Sequence, residues 1–190
     1  MSSSLKLYKI DIKYVRDLAK VDDNVMSVSP QISKGTRPFV GVLLLVEGKK
    51  YCVPLSSPKP KFEKKKNSAD FMRILDLSKK NEHGANVVIG ALNFNNMLPV
   101  TENVLSEINI KTNKNDTLQT INYKKLLTKQ LDWCQKNEQA IFNRANNRYI
   151  LITKYPDKNV NLARRCCNFK RLEQVLDKRL GKEKPEQSAN

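Results

Sequence analysis

Residues 37–59 carry the most informative pattern in the chain: Arg37-Pro-Phe-Val-Gly-Val-Leu-Leu-Leu-Val-Glu-Gly-Lys-Lys-Tyr-Cys-Val-Pro-Leu-Ser-Ser-Pro-Lys59. Two apolar runs, 39–46 and 49–55, flank the pair Glu47-Gly48. An acidic residue followed by glycine, between two apolar runs, is typical of a tight turn between two paired strands. The pattern therefore predicts a β-hairpin.

The segment after this hairpin, residues 56–66, combines two prolines with five lysines. Each proline fixes φ and removes a backbone donor, so this segment is predicted to lack regular structure. We expect a basic loop that leaves the end of a buried hairpin.

Outward from this hairpin, apolar periodicity predicts a strand and a helix before it, and strands followed by helices after it. Leu5 and Leu7 alternate with polar residues, and a helix is expected over 11–21, followed by a long polar loop. Further strands are predicted at 71–77, 87–92 and 97–100, and helices at 116–136, 141–150 and 168–181, with Asp116 and Asn168 as N-caps. This order predicts an α+β fold with an antiparallel sheet in one domain, residues 1–181, before a polar tail at 182–190.

The charge balance indicates the class of partner. The chain of 190 residues has 35 Lys and Arg against 19 Asp and Glu, a net charge of +16, while 39% of its residues are hydrophobic. Such a chain can build a core, and its excess of cations favours a polyanion, most simply nucleic acid. The longest apolar run, 39–46, has eight residues and is too short to cross a bilayer, so a cytoplasmic protein is expected.

Cysteine and histidine usage excludes several kinds of site. The four cysteines are expected to be buried, reduced thiols, and His83 is the only histidine, so neither a zinc site nor a two-histidine ribonuclease is predicted. The adjacent acids Asp22 and Asp23 are expected to face solvent instead of holding catalytic metal ions. No metal and no cofactor are therefore predicted.

Metal-free cleavage of RNA remains as the chemistry that the residues allow. RNA supplies its own nucleophile, the 2′-hydroxyl, and the protein needs only to position it, transfer protons and neutralise charge on the phosphorane. Ser56, Ser57 and Lys59 supply two hydroxyls and an ammonium within four residues.

Residues 37–59 resemble the core motif of the ToxN/AbiQ family, the endoribonuclease toxins of type III toxin–antitoxin systems. The similarity continues in order through four other segments: 8–15, 95–100, 123–131 and 167–169. The resemblance implies a strongly twisted antiparallel sheet partly wrapped by helices, similar to the Kid/MazF toxins. It also implies metal-independent cleavage that leaves a 2′,3′-cyclic phosphate, and a role in abortive infection against bacteriophage.

The partner that the resemblance implies is a small repetitive RNA antitoxin, folded into pseudoknots, which occupies the active-site groove. Toxin and RNA are then expected to form a closed hetero-oligomer, with cellular and phage RNA as substrates. No membrane partner is expected.

The resemblance also implies the catalytic residues. Ser57 matches the essential serine of the family, Ser56 lies where some members have threonine, and Lys59 matches the lysine of the motif. Tyr14 matches a tyrosine of the first helix, and Arg37 replaces a lysine of some relatives. Because a guanidinium does not deprotonate in proteins, Arg37 is expected to stabilise charge instead of transferring a proton.

Candidate RNA contacts are aromatic and polar residues of the hairpin, the basic loop and the first long helix: Tyr51, Lys61, Lys64, Lys65, Lys66, Tyr123, Lys124 and Gln130. Two alternatives remain open at this point. One is a non-catalytic RNA-binding module in which aromatic side chains stack on bases. The other is a MazF-like toxin that is controlled by a protein antitoxin.

Overall fold

One antiparallel sheet organises the protein, and helices cover it. A computed structural model describes residues 5–25 and 39–182, and within them seven strands pair in the order β4-β5-β3-β2-β1-β7, with β6 beside β3. The strands are β1 (Leu7–Ile10), β2 (Phe39–Val46), β3 (Lys49–Ser56), β4 (Phe71–Lys80), β5 (Asn86–Asn93), β6 (Leu98–Pro99) and β7 (Leu105–Glu107). The sheet curls, and the α+β class with an antiparallel sheet is confirmed.

The main hydrophobic core lies between the sheet and its helices. In the described ranges the helices are α1 (Ile12–Ala19), α2 (Pro60–Lys64), α3 (Leu118–Lys136), α4 (Glu138–Lys154), α5 (Val160–Arg164) and α6 (Phe169–Lys182). Fully buried aromatic rings of Tyr14, Tyr51, Phe94 and Phe169 fill much of this core. None of these helices combines the length and the apolarity needed to cross a membrane.

The predicted hairpin is confirmed as strands β2 and β3. Val46 pairs with Lys49, and the two turn residues between them have positive φ, 49° at Glu47 and 78° at Gly48. Positive φ at both central residues gives the turn a twist that matches the twist of the flanking strands. Glycine tolerates this conformation without a steric cost.

Strand β3 changes partners along its length, and this change positions the segment that follows it. Near its start, Tyr51 and Cys52 pair with β6, whereas at its end Leu55 and Ser56 pair with β5. The last residue, Ser56, lies opposite Ala91. The chain therefore leaves β3 at the point where the strands around β2 and β6 meet the pair formed by β4 and β5.

The prediction that residues 56–66 lack regular structure is wrong for the part from Pro60 to Lys64, which forms the short helix α2. A proline at the first helical position is tolerated because that residue has no intrahelical acceptor for its N–H. The helix is held by Phe62, which packs with Phe71, Val88 and Ala91 in a second, smaller core.

The predicted helix caps are confirmed at one helix and shifted at another. Asn168 accepts a 3.1 Å hydrogen bond from the Arg171 amide at the start of α6. Helix α3 is capped by Thr117 and not by the predicted Asp116, which instead forms an ion pair with Lys124. The polar loop from 26 onward, Arg37 and the end of the tail from 183 lie outside the described residues.

All four cysteines are free and buried, as predicted. Burial raises the pKa of Cys134 and that of Cys166 to about 12. These thiols are therefore protonated at neutral pH and behave as apolar core groups.

Candidate active site and RNA interface

The segment from Ser56 to Lys59 emerges from the end of β3 as a short connection between a strand and a helix. Ser56 and Ser57 are half-buried, while Pro58 and Lys59 are exposed. Among the described residues, neither serine hydroxyl has a hydrogen-bond partner. Both hydroxyls are therefore free to bind a ligand.

Helix α2 fixes this segment from one side. The amide of Phe62 donates a 2.8 Å hydrogen bond to the carbonyl oxygen of Lys59, and the Phe62 side chain is buried in the smaller core. The Lys59 ammonium lies 5.9 Å from the centroid of the Phe62 ring. Lys59 is thus held at its backbone, and its exposed ammonium lies near a buried ring.

Strand β5 and helix α3 fix the segment from the other side. A Cβ at Gly90 would lie 2.7 Å from the carbonyl oxygen of Ser56 and would collide with Nε2 of Gln130. Glycine at this position therefore allows strand, loop and helix to approach within van der Waals contact. Gln130 itself donates a 2.6 Å hydrogen bond to the carbonyl oxygen of Ile89.

A serine hydroxyl and a lysine ammonium that are held in this way suit a phosphodiester. The hydroxyl can donate to a phosphate oxygen, and the ammonium can stabilise negative charge that develops during cleavage. Because the backbone that carries both groups is held by α2, β5 and α3, little movement of the chain is needed when the charge appears. Within residues 5–25 and 39–182, no three His, Cys, Asp or Glu side chains are grouped as a metal site would require.

The surface beside this segment is strongly cationic. The lysines on and after α2 are exposed, and none of them has an ion-pair partner within the described ranges: Lys61, Lys64, Lys65 and Lys66. The Lys65 ammonium lies 3.9 Å from the centroid of Phe71, a cation–π contact that fixes its position. This surface fits the backbone of an RNA strand.

Tyr14 is a core residue, which corrects its assignment as a catalytic residue. Its side chain is fully buried, and its hydroxyl donates a 2.8 Å hydrogen bond to the carbonyl oxygen of Pro99. Burial raises the pKa of Tyr14, so the phenol stays protonated. The residue connects α1 to β6 and cannot contact RNA in this conformation.

Tyr51 is also a core residue, which contradicts its prediction as a base-stacking side chain. Its hydroxyl donates a 2.7 Å hydrogen bond to Glu173, which also accepts hydrogen bonds from Tyr149 and Lys49. Burial alone would raise the pKa of Glu173, but these hydrogen bonds outweigh burial and lower it. The Tyr51 ring meets Tyr149 and Phe169 edge-on with centroids 5.6 Å away.

Two polar residues of α3 are likewise reassigned. Gln130 is 1% exposed, so it shapes the site from beneath instead of binding RNA. The Lys124 ammonium is 2.8 Å from Asp116 and 2.9 Å from the carbonyl oxygen of Lys111, so its charge is already neutralised. Tyr123 is 39% exposed, and its contact with RNA stays a prediction.

A basic cavity between α3 and the segment before it has no counterpart among the predicted site residues. Its volume is about 610 Å³, and its walls are Ile110, Lys111, Thr112, Lys125, Thr128 and Lys129. Residues 110–112 lie in a polar stretch that has no apolar periodicity. Their residue types are therefore the only feature of the sequence that could have indicated a binding site here. Their placement against α3 depends on the folded structure.

Comparison with known proteins gives matches along nearly the whole chain. The family model described as Toxin ToxN, type III toxin–antitoxin system, matches residues 6–177. Endoribonuclease ToxN of Pectobacterium atrosepticum is 28% identical over 171 residues, which cover 90% of this chain and 91% of that protein. Endoribonuclease ToxN of Bacillus thuringiensis subsp. kurstaki is 30% identical over 172 residues, covering 89% and 81%.

Two solved structures share the fold. A type III toxin from a study of selective toxin inhibition by a non-coding RNA pseudoknot superposes with a TM-score of 0.70 at 28% identity, covering 92% of this chain and 96% of that one. The lactococcal anti-phage endoribonuclease AbiQ superposes with a TM-score of 0.73 at 22% identity, covering 95% and 99%.

Proposed function

The chain belongs to the ToxN family of type III toxin–antitoxin toxins, and from this membership we propose how its site cleaves RNA. The proposal is an endoribonuclease that works at Ser56, Ser57 and Lys59 without a metal ion. The observation that carries it is the unpartnered Ser57 hydroxyl, held at the end of a buried hairpin two residues before an exposed lysine.

In the proposed step, the 2′-hydroxyl oxygen of RNA attacks the adjacent phosphorus. The O2′–P bond forms, the P–O5′ bond breaks, the 2′-hydroxyl loses its proton and the departing 5′-oxygen gains one. The products are a 2′,3′-cyclic phosphate and a 5′-hydroxyl. The step needs no oxidant and no cofactor.

Ser57 and Lys59 have distinct roles in this proposal. The Ser57 hydroxyl donates a hydrogen bond to a non-bridging phosphate oxygen, with Ser56 as a second donor. The Lys59 ammonium stabilises the phosphorane, because a positive charge close to the reacting group lowers the energy of the transition state more than that of the substrate.

The test uses purified protein, total RNA and excess EDTA. We expect cleavage to persist in EDTA and in His83→Ala, an exposed loop variant, with fragments that end in cyclic phosphate. Ser57→Ala is expected to remove cleavage without changing the melting temperature. Lys59→Ala is expected to raise the barrier by about 2.7–4 kcal/mol, the range for loss of one oxyanion-type donor. Dependence on magnesium or 3′-hydroxyl products would contradict the mechanism.

The proposed inhibitor is an RNA antitoxin that covers the same surface. Support comes from the cationic residues on and after α2 and from the relative whose toxin is inhibited by an RNA pseudoknot. We propose that a small repetitive RNA binds there, that toxin and RNA close into a hetero-oligomer, and that release of the toxin aborts phage infection. Copurification of such an RNA from coexpressing cells tests this, whereas silencing by a polypeptide would contradict it.

A further inference from the structure

The cavity between α3 and residues 110–112 combines cationic, hydroxyl and apolar walls. Lys111 and Lys125 face it from the two sides, Thr112 and Thr128 add hydroxyls, and Ile110 adds an apolar surface. The cavity is a groove that is open to solvent, and its volume of about 610 Å³ is large enough for one nucleotide of a continuous strand.

The lysines that line this cavity differ in how far their charges are already neutralised. Lys129 forms a 2.6 Å ion pair with Asp76, which is buried in β4. Lys111 and Lys125 have no ion-pair partner in the part of the chain that the structure describes. Two ammonium groups are therefore available to an anion.

Hydrogen bonds hold the two sides of the cavity in place. The Thr128 hydroxyl donates a 2.9 Å hydrogen bond to the carbonyl oxygen of Lys124, which restrains its direction. Lys124 in turn bonds the carbonyl oxygen of Lys111 and the carboxylate of Asp116. These bonds attach the segment 111–116 to the helix, so both walls of the cavity are present before any ligand arrives.

The cavity lies next to the candidate active site through adjacent residues of α3. Lys129 lines the cavity, and the following residue, Gln130, packs against Gly90 at the carbonyl oxygen of Ser56. Because these two residues are consecutive, the cavity and the carbonyl oxygen of Ser56 contact the same turn of α3.

We propose that this cavity binds a backbone phosphodiester of the same RNA strand that is cleaved at Ser57, with Lys111 and Lys125 as its cationic ligands. The proposal rests on the proposed function and adds a second phosphate site to it. Contacts to phosphates fix the register of a strand without reading its sequence. A phosphate held in the cavity thereby helps to set which linkage of the strand lies at Ser57.

The test compares two double variants that remove the same charge. Lys111→Ala/Lys125→Ala changes the cavity, and Lys13→Ala/Lys178→Ala changes exposed lysines of α1 and α6 that do not line it. Binding of a single-stranded oligoribonucleotide is measured against salt concentration for each pair in a Ser57→Ala background. Cleavage kinetics are measured in the wild-type background.

For the cavity pair, we expect the salt slope of log affinity to become shallower by about 0.7, which corresponds to the loss of one phosphate contact on a single strand. KM should rise by about tenfold or more while kcat changes little, because the lost contact is present in both the substrate and transition-state complexes. The control pair should retain the slope and the KM, and both pairs should melt near the wild-type temperature.

An unchanged slope and KM in the cavity pair would overturn this proposal even if the wild-type protein cleaves RNA. Conversely, a shallower slope in a protein whose wild type cleaves no RNA would support the cavity and refute the proposed function. The binding measurement therefore separates the two failures.

Discussion

Nε2 of Gln130 donates a 2.6 Å hydrogen bond to the carbonyl oxygen of Ile89, 41 residues earlier in the chain. Ile89 is the extra residue of a β-bulge, because Ile74 pairs with Gly90 and the next residue of β4, Leu75, pairs with Val88. A bulge leaves backbone groups without a ladder partner, and a buried carbonyl needs a donor. The side-chain amide of Gln130 in α3 is this donor, and it lies beside the end of β3.

Gln130→Met is predicted to slow RNA cleavage by distorting this junction. The variant keeps the side-chain length but leaves the Ile89 carbonyl without its donor, at a cost of about 1–3 kcal/mol in stability. We expect a lower kcat at temperatures where the variant is fully folded by circular dichroism. Gln119→Met, on the exposed side of the same helix, should change neither stability nor kcat. Wild-type kcat in Gln130→Met would show that the junction does not position the site.

Gly90→Ala is predicted to reduce cleavage through a steric effect. The new Cβ would overlap the carbonyl oxygen of Ser56, which is a backbone atom of the sheet, and the buried side-chain amide of Gln130. Gly181→Ala is the matched control, since a Cβ there meets nothing within 4 Å and alanine suits a helix better by about 1 kcal/mol. Thermal melts and cleavage rates of both variants check this; equal cleavage in the two would contradict it.

Acid is predicted to weaken the attachment of α3 to β4. A hydrogen bond from Lys129, followed by one from Ser78, lowers the pKa of Asp76 from 3.8 to about 2. Because the folded state holds the carboxylate ionised below its ordinary pKa, this contribution to stability is complete above about pH 4 and is lost as the pH falls toward 2.

Urea unfolding of the wild type and of Asp76→Asn between pH 2 and pH 5 measures this effect. The difference in the free energy of unfolding between the two proteins should shrink as the pH falls through that window. A difference that stays constant would mean that Asp76 is not stabilised as a carboxylate.

Tyr14→Phe is predicted to affect stability and to spare catalysis. The change removes the hydroxyl that donates to Pro99 and leaves a buried carbonyl unpaired, at a cost of about 1–3 kcal/mol. We expect a lower melting temperature and an unchanged kcat for RNA cleavage. Loss of cleavage in a fully folded Tyr14→Phe protein would return this tyrosine to the catalytic residues.

Lys64→Glu/Lys66→Glu is predicted to weaken binding of the RNA antitoxin much more than folding. Both residues are exposed, whereas Lys65 packs over the ring of Phe71 and is left unchanged. Filter binding should show lower affinity and a shallower salt dependence than in a Lys13→Glu/Lys178→Glu control with the same net charge. Equal affinity in the two variants would mean that the surface after α2 does not contact the RNA.

The sequence by itself determined the hairpin, the position of the serine pair and the cationic character of the surface. Apolar runs, a turn with positive φ and a proline-rich exit are local signals, and they set the conformation of residues that are close in the chain. Asn168 as the cap of α6 belongs to the same group, because its hydrogen bond reaches only to Arg171.

Only the tertiary structure decided which polar side chains reach the surface. Tyr14, Tyr51 and Gln130 have residue types that suit RNA, but their partners Pro99, Glu173 and Ile89 lie 85, 122 and 41 residues away. Burial depends on which elements pack over a side chain, and residue type and local spacing do not specify that packing. The same reason applies to the cavity. Its two sides meet because the Lys124 ammonium donates a hydrogen bond to the carbonyl oxygen of Lys111, and the sequence before α3 has no periodicity that would predict this contact.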